Sequence, residues 1–118
     1  MPLRECNIEQ LKAAMEDYPE AAFYAVCRKP LFIQGLKVIQ SFWPNDRLHR
    51  AYHRGEIDWI EYIIEYKAQI TADVKAKAWI SKIRSLAKSQ AVFLVCVCCR
   101  EEEERCHRLI LLELIGGL

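Results

Sequence analysis

The 118-residue chain has little glycine and proline, four of each, which excludes collagen-like and low-complexity proteins. It also lacks a long apolar run. The longest are Ala91–Cys99 and Leu109–Ile115, the second interrupted by Glu113. Both are far shorter than the roughly 20 residues of a transmembrane helix. Neither sign of charge dominates, since the net charge is +1. Nothing in this balance demands a nucleic acid or an anionic membrane as partner.

Apolar residues nevertheless make up 53% of the chain, enough for one modest core. The opening sequence MPLRECNIEQ carries no apolar stretch of the secretory kind. We therefore expect residues 1–118 to form a single domain in the cytoplasm, without membrane association. The chain has six cysteines, and those at 96, 98, 99 and 106 crowd near its end. Without an export signal, these are expected to be reduced thiols rather than a disulfide framework.

Hydrophobic periodicity and capping residues predict the order of helices and strands. Two short apolar segments, Ala21–Cys27 and Ala91–Cys98, are predicted as strands buried on both faces, and a weaker strand falls within Leu36–Ile39. Helices are predicted to begin at Asn7, Asn45, Asp58, Thr71 and about Cys106. The chain then opens on a helix, with no strand before it.

This order predicts an α/β fold with a small, mostly parallel sheet flanked by helices. Only two of the strands are clear from the sequence, so the predicted sheet is thin. A homodimer that extends or covers the sheet is therefore expected.

Chemically versatile side chains follow both clear strands. Arg28 follows the first, Cys98 closes the second, and Cys106, His107 and Arg108 open the last helix. If the strands are neighbours, these groups meet at their carboxyl ends, where open α/β sheets bind ligands. The N-terminus of the last helix favours an anion there.

The pattern predicts a pocket in which Arg28 and Arg108 bind a small carboxylate or phosphate. Cys98 or Cys106 is the candidate nucleophile or redox thiol, and His107 orients a reactant or exchanges a proton. The sequence leaves open whether the protein is an enzyme.

The same residues can also be interpreted as purely structural, which would place the protein in a different functional class. Cysteine packs readily as a small hydrophobe, which is the favoured interpretation of Cys96 in mid-strand. In this alternative, His107 and Arg108 bond to backbone carbonyls or internal carboxylates and hold the last helix to the sheet. The protein would then be a non-catalytic interaction module that binds RNA or a protein partner.

Two sharper cysteine motifs are disfavoured. The segment Cys99–Arg105 has the spacing of a phosphatase loop, but its four consecutive glutamates would repel phosphate. A metal site built from Cys96, Cys98, Cys106 and His107 would require one strand to present two thiols to a tetrahedral ion. No metal and no cofactor is therefore predicted.

Histidines and lysines elsewhere in the chain are typical of solvated helix faces. His49 and His53 lie four residues apart on a short helix rich in arginine, which makes a catalytic or ligand pair a minor alternative. The lysines of the helix that begins at Thr71 lie opposite its apolar face, so no nucleic-acid partner is expected.

The stretch Ala91–Ile115 resembles the end of proteins in the family called domain of unknown function 488 (DUF488). Their hallmark is an apolar strand ending in cysteine, a short acidic loop, and Cys-His-Arg at the start of an apolar helix. Cys98 matches the first part, and Cys106–Arg108 the second. Arg28 matches the arginine that closes an earlier strand, and Leu48–Tyr66 is similar to archaeal-type members of the family.

Two features depart from the family's pattern. Arg100 stands where the family often has glutamate, two positions after the first cysteine, and the opening strand of the family is not evident. Because the family has no settled activity, the resemblance implies a fold and the place of a site rather than a reaction.

Overall fold

The computed structural model describes residues 3–27, 33–96 and 106–116. Within these ranges the strands are β1 (Leu3–Asn7), β2 (Ala22–Ala25), β3 (Leu36–Val38) and β4 (Val92–Cys96). The helices are α1 (Leu11–Asp17), α2 (Asp46–His53), α3 (Trp59–Ala72), α4 (Val74–Leu86) and α5 (His107–Gly116), with a 3-10 turn at Gln40–Phe42. These strands are all parallel and lie in the order β1-β4-β2-β3, which confirms the predicted small α/β fold.

Strand β4 occupies an inner position of the sheet because its residues are apolar throughout and all buried. Leu94 and Cys96 belong to a large core shared with α3, α4 and α5, whereas Phe93 and Val95 belong to a smaller core beneath α1. Strand β2 pairs with β4 from Ala22 to Ala25. The two clearly predicted strands are therefore neighbours, and their carboxyl ends lie side by side.

The expectation that no strand precedes the first helix is wrong. Strand β1 pairs with β4 along its whole length, from Leu3 opposite Val92 to Asn7 opposite Cys96. Its sequence, LRECN, has neither the alternation nor the β-branched residues of an ordinary strand. The strand forms because the backbone N–H and C=O groups on this side of β4 need partners. With four strands described, the sheet is less thin than predicted, and the homodimer stays a prediction.

Local capping signals predict the starts of α2 and α3 correctly, whereas α1 begins later than predicted. Asn7 and Gln10 form the reciprocal hydrogen bonds of a capping box, although α1 begins only at Leu11 because Asn7 belongs to β1. The side chain of Asn45 caps α2, and that of Asp58 caps α3.

The predicted cap of α4 is wrong. Asp73, not Thr71, caps this helix by accepting hydrogen bonds from the backbone N–H groups of Lys75 and Ala76. Thr71 instead lies in the last turn of α3, where its hydroxyl donates to the carbonyl of Lys67. Among the described helices, none has the length and apolar character to cross a membrane.

Cys6 in β1 offers a test of this packing. The thiol is 3% exposed, and burial together with the Glu5 carboxylate raises its pKa from 9.0 to about 11, against the lowering effect of Arg108. Because the thiolate is the reacting species, we expect iodoacetamide at pH 8 to label Cys6 about a hundredfold more slowly in the native protein than in the unfolded chain. Site-resolved mass spectrometry measures both rates. Similar rates would show that β1 is not packed as described.

Candidate functional site

Two thiols and an imidazole converge at the carboxyl end of β4. Cys96 is the last residue of β4, Cys106 immediately precedes α5, and His107 is the first residue of α5. The two sulfur atoms and a ring nitrogen of His107 all lie within 4.8 Å of one another. Both cysteines are 3% exposed, and His107 is half-buried. We call these three residues the strand-end cluster.

His107 is held by a backbone group at the end of the neighbouring strand. Its Nε2 lies 2.5 Å from the carbonyl oxygen of Val26, the residue after β2. A carbonyl oxygen can only accept a hydrogen bond, so Nε2 carries the hydrogen. In the neutral ring this leaves Nδ1 as the nitrogen with an available lone pair.

Tyr66 on α3 forms a wall of the strand-end cluster. Its ring meets that of His107 nearly edge-on, with centroids 5.6 Å apart, and its hydroxyl donates to the carbonyl of Phe42 at 2.5 Å. Burial raises the pKa of Tyr66 well above 10.0, and Tyr62 and the thiols Cys106 and Cys96 raise it further. The phenol therefore stays protonated, and its hydrogen bond fixes the ring against His107.

Arg108 reaches in the other direction, toward the first strand. Its side chain is fully buried, and its Nε donates to the Glu5 carboxylate at 2.5 Å. A buried guanidinium without a carboxylate is strongly unfavourable, so packing of the first turn of α5 depends on this ion pair. Because His107 contacts the end of β2 and Arg108 contacts β1, the start of α5 bridges the two neighbours of β4.

The predicted site residues therefore separate into three groups. Cys106 and His107 lie together in the strand-end cluster. Arg108 forms an ion pair with Glu5. This ion pair, and the contact of His107 with the Val26 carbonyl, are the kinds of contact that the structural interpretation of the motif requires. Arg28 and Cys98 lie outside the described residues.

The structure adds Glu5 to the residues singled out from the sequence, and it gives Cys96 a place in the site. The sequence favours core packing for Cys96, and its side chain does lie in the core while also joining the strand-end cluster. Glu5 could be recognised from the sequence only as a carboxylate within a strand. Because the sequence does not predict β1, it does not point to Glu5.

A protein-family model matches nearly all of the chain. The model of DUF488-N3a, described as the active DUF488-N3 subclade, matches residues 11–117. No curated protein and no solved structure shows significant similarity to the chain.

The Glu5–Arg108 pair should be strongly coupled. Replacing Glu5 by Gln removes the carboxylate bonded to a buried guanidinium, and we expect the free energy of unfolding to fall by about 1.5–3 kcal/mol. In an Arg108→Met background the same change should have little effect, because no buried guanidinium remains for Glu5 to neutralise. Chemical denaturation of the four proteins gives the coupling energy.

The pair Arg47–Glu65 is a matched control on the surface. Its N–O distance is 3.1 Å, but its side chains are 73% and 35% exposed. We expect a coupling below about 1 kcal/mol for this pair. Equal coupling in the two pairs would contradict the structural role assigned to Arg108.

Proposed function

The chain belongs to the DUF488 family, and we propose that it binds a small carboxylate or phosphate ligand in a thiol-containing pocket at the carboxyl ends of β2 and β4. The observation that carries the proposal is the strand-end cluster. Thiols and an imidazole within 4.8 Å of one another can act together, the thiol as nucleophile and the imidazole as its base. The cluster also lies where open α/β sheets bind their ligands.

The electrostatics of this end of the sheet favour an anion. Helix α5 begins beside the cluster, and the N–H groups of its first turn carry partial positive charge. Arg108 adds a fixed charge in the same turn, although Glu5 partly offsets it. We propose direct contact with the ligand for Arg28, which follows Cys27 and the end of β2 in the chain.

Among the described cysteines, we assign the role of nucleophile or redox thiol toward the ligand to Cys106. Nδ1 of His107 positions this thiol. Cys98 keeps this role as a second candidate on sequence grounds alone. The description of the matching subclade as active supports a chemical role. Cys6, Cys27, Cys96 and Cys106 form no disulfide, which fits the proposed cytoplasmic location.

The second candidate function is a non-catalytic module that binds RNA or a protein, and two contacts support the structural role that it gives to the Cys-His-Arg motif. The side chain of Arg108 is buried against Glu5, and Nε2 of His107 lies against the carbonyl of Val26. Both contacts attach α5 to the sheet. If they are the whole role of the Cys-His-Arg motif, the function lies elsewhere on the surface.

Site-resolved alkylation of the reduced, chelator-treated protein tests the pocket. Both thiols are equally buried, but we expect Cys106 to react faster than Cys6, because Cys106 lies at the N-terminus of α5, which stabilises a nearby anion, whereas burial and Glu5 raise the pKa of Cys6 to about 11. Added phosphate or acetate should slow the labelling of Cys106, but not of Cys6, relative to chloride at equal ionic strength.

Arg28→Gln and Arg54→Gln are the matched variants for this experiment. Arg54 is a surface arginine whose side chain is 68% exposed, so its replacement should leave the protection unchanged. Arg28→Gln should weaken anion protection by roughly tenfold or more, as expected for a lost charged hydrogen bond. If Cys106 is alkylated as slowly as Cys6, and neither phosphate nor acetate changes its rate, the pocket is excluded and the structural alternative is favoured.

A further inference from the structure

We propose that Cys96, Cys106 and His107 bind a divalent metal ion of the zinc class, and that this ion captures the anion of the proposed function. Two thiolates and an imidazole form a ligand set that zinc prefers in proteins. The metal site stands on the geometry of the strand-end cluster, whereas the anion step rests on the proposed function.

The distances in the cluster are close to those that a metal requires. The ligand atoms lie within 4.8 Å of one another. Zinc binds sulfur at about 2.3 Å and imidazole nitrogen at about 2.0–2.1 Å, which places tetrahedral ligand atoms roughly 3.5–3.8 Å apart. A contraction of about 1 Å, within reach of small rotations of the side chains, therefore completes the site.

His107 already has the outer contact typical of a metal-bound histidine. Such residues usually donate their second ring N–H to a backbone carbonyl or a carboxylate, which fixes the tautomer and the orientation of the ring. Here Nε2 of His107 lies against the carbonyl of Val26, so Nδ1 is the nitrogen for the metal. The edge-on contact with Tyr66 restricts the ring further.

The fold removes the objection that the sequence raises against a metal. That objection is the need for one strand to present both Cys96 and Cys98. In the strand-end cluster only Cys96 comes from a strand, and the other two ligands come from the start of α5. The Glu5–Arg108 pair holds that start against the sheet independently of any ion.

Among the described residues the cluster supplies three ligands, and we assign the fourth tetrahedral position to an exogenous group. Water or a small carboxylate or phosphate oxygen bound there coordinates the ion directly and is polarised by it, as in catalytic zinc sites, although the two thiolates offset the charge of the ion. In this state the sulfur of Cys106 is a ligand, and it is protected from alkylation. The thiol reactivity proposed above thus belongs to the metal-free protein.

Cobalt(II) is a suitable probe, since it takes the place of zinc and its visible spectrum reports coordination. Titration of the full-length, reduced protein should give the absorption bands of a tetrahedral cobalt–thiolate site, which equimolar zinc removes. Cys96→Ser, Cys106→Ser and His107→Ala should each weaken cobalt binding by more than the 10–100-fold typical of losing an outer partner of a ligand. Cys6→Ser and His53→Ala are the matched controls and should retain wild-type binding.

Zinc protection of the wild-type protein provides a measurement that does not depend on how the variants fold. Zinc should slow alkylation of Cys96 and Cys106 while leaving that of Cys6 unchanged. The absence of a cobalt spectrum, or one that persists in all three ligand variants, would overturn the metal site. A cobalt spectrum that does not respond to phosphate or acetate would overturn the anion step alone. Anion protection of Cys106 in the chelator-treated protein tests the proposed function separately.

Discussion

A fully buried guanidinium needs a carboxylate beside it, and this need ties Arg108 at the start of α5 to Glu5 in β1. The pair adds a side-chain contact to the backbone pairing that holds the polar strand β1 in the sheet. On the other side of β4, Nε2 of His107 lies against the carbonyl of Val26. These two contacts fix the first turn of α5 across the end of β4 and thereby bring Cys106 close to Cys96.

The contacts of Arg108 and His107 that attach α5 to the sheet are compatible with a chemical role for the strand-end cluster. A site in which a thiol or a metal acts requires side chains whose positions are fixed by their surroundings. Arg108 and Glu5 provide that fixation from outside the strand-end cluster, and Tyr66 provides it from α3. The Cys-His-Arg motif of this DUF488 protein therefore combines one residue that attaches the helix, Arg108, with two that face the cluster, Cys106 and His107.

The parts of the fold that depend on local sequence could be predicted, and the parts that depend on distant partners could not. Strand β4 and the cap of α3 at Asp58 follow from an apolar run and from a capping pattern. Strand β1 carries neither signal, because it is stabilised by pairing with β4. Glu5 and Arg108 are 103 residues apart, so no periodicity relates them. The sequence did place Cys106 and His107 at a strand end, but it could not show which side chain of β4 would meet them.

The fold itself brings Cys96 and Cys106 together. The most direct measurement is mild oxidation of the native protein with diamide, in a variant where Cys98 and Cys99 are replaced by serine, followed by peptide mapping. This juxtaposition predicts a disulfide between Cys96 and Cys106 as the main product, formed much faster than in the unfolded chain. Random pairing with Cys6 and Cys27, or no preference over the unfolded chain, would contradict it.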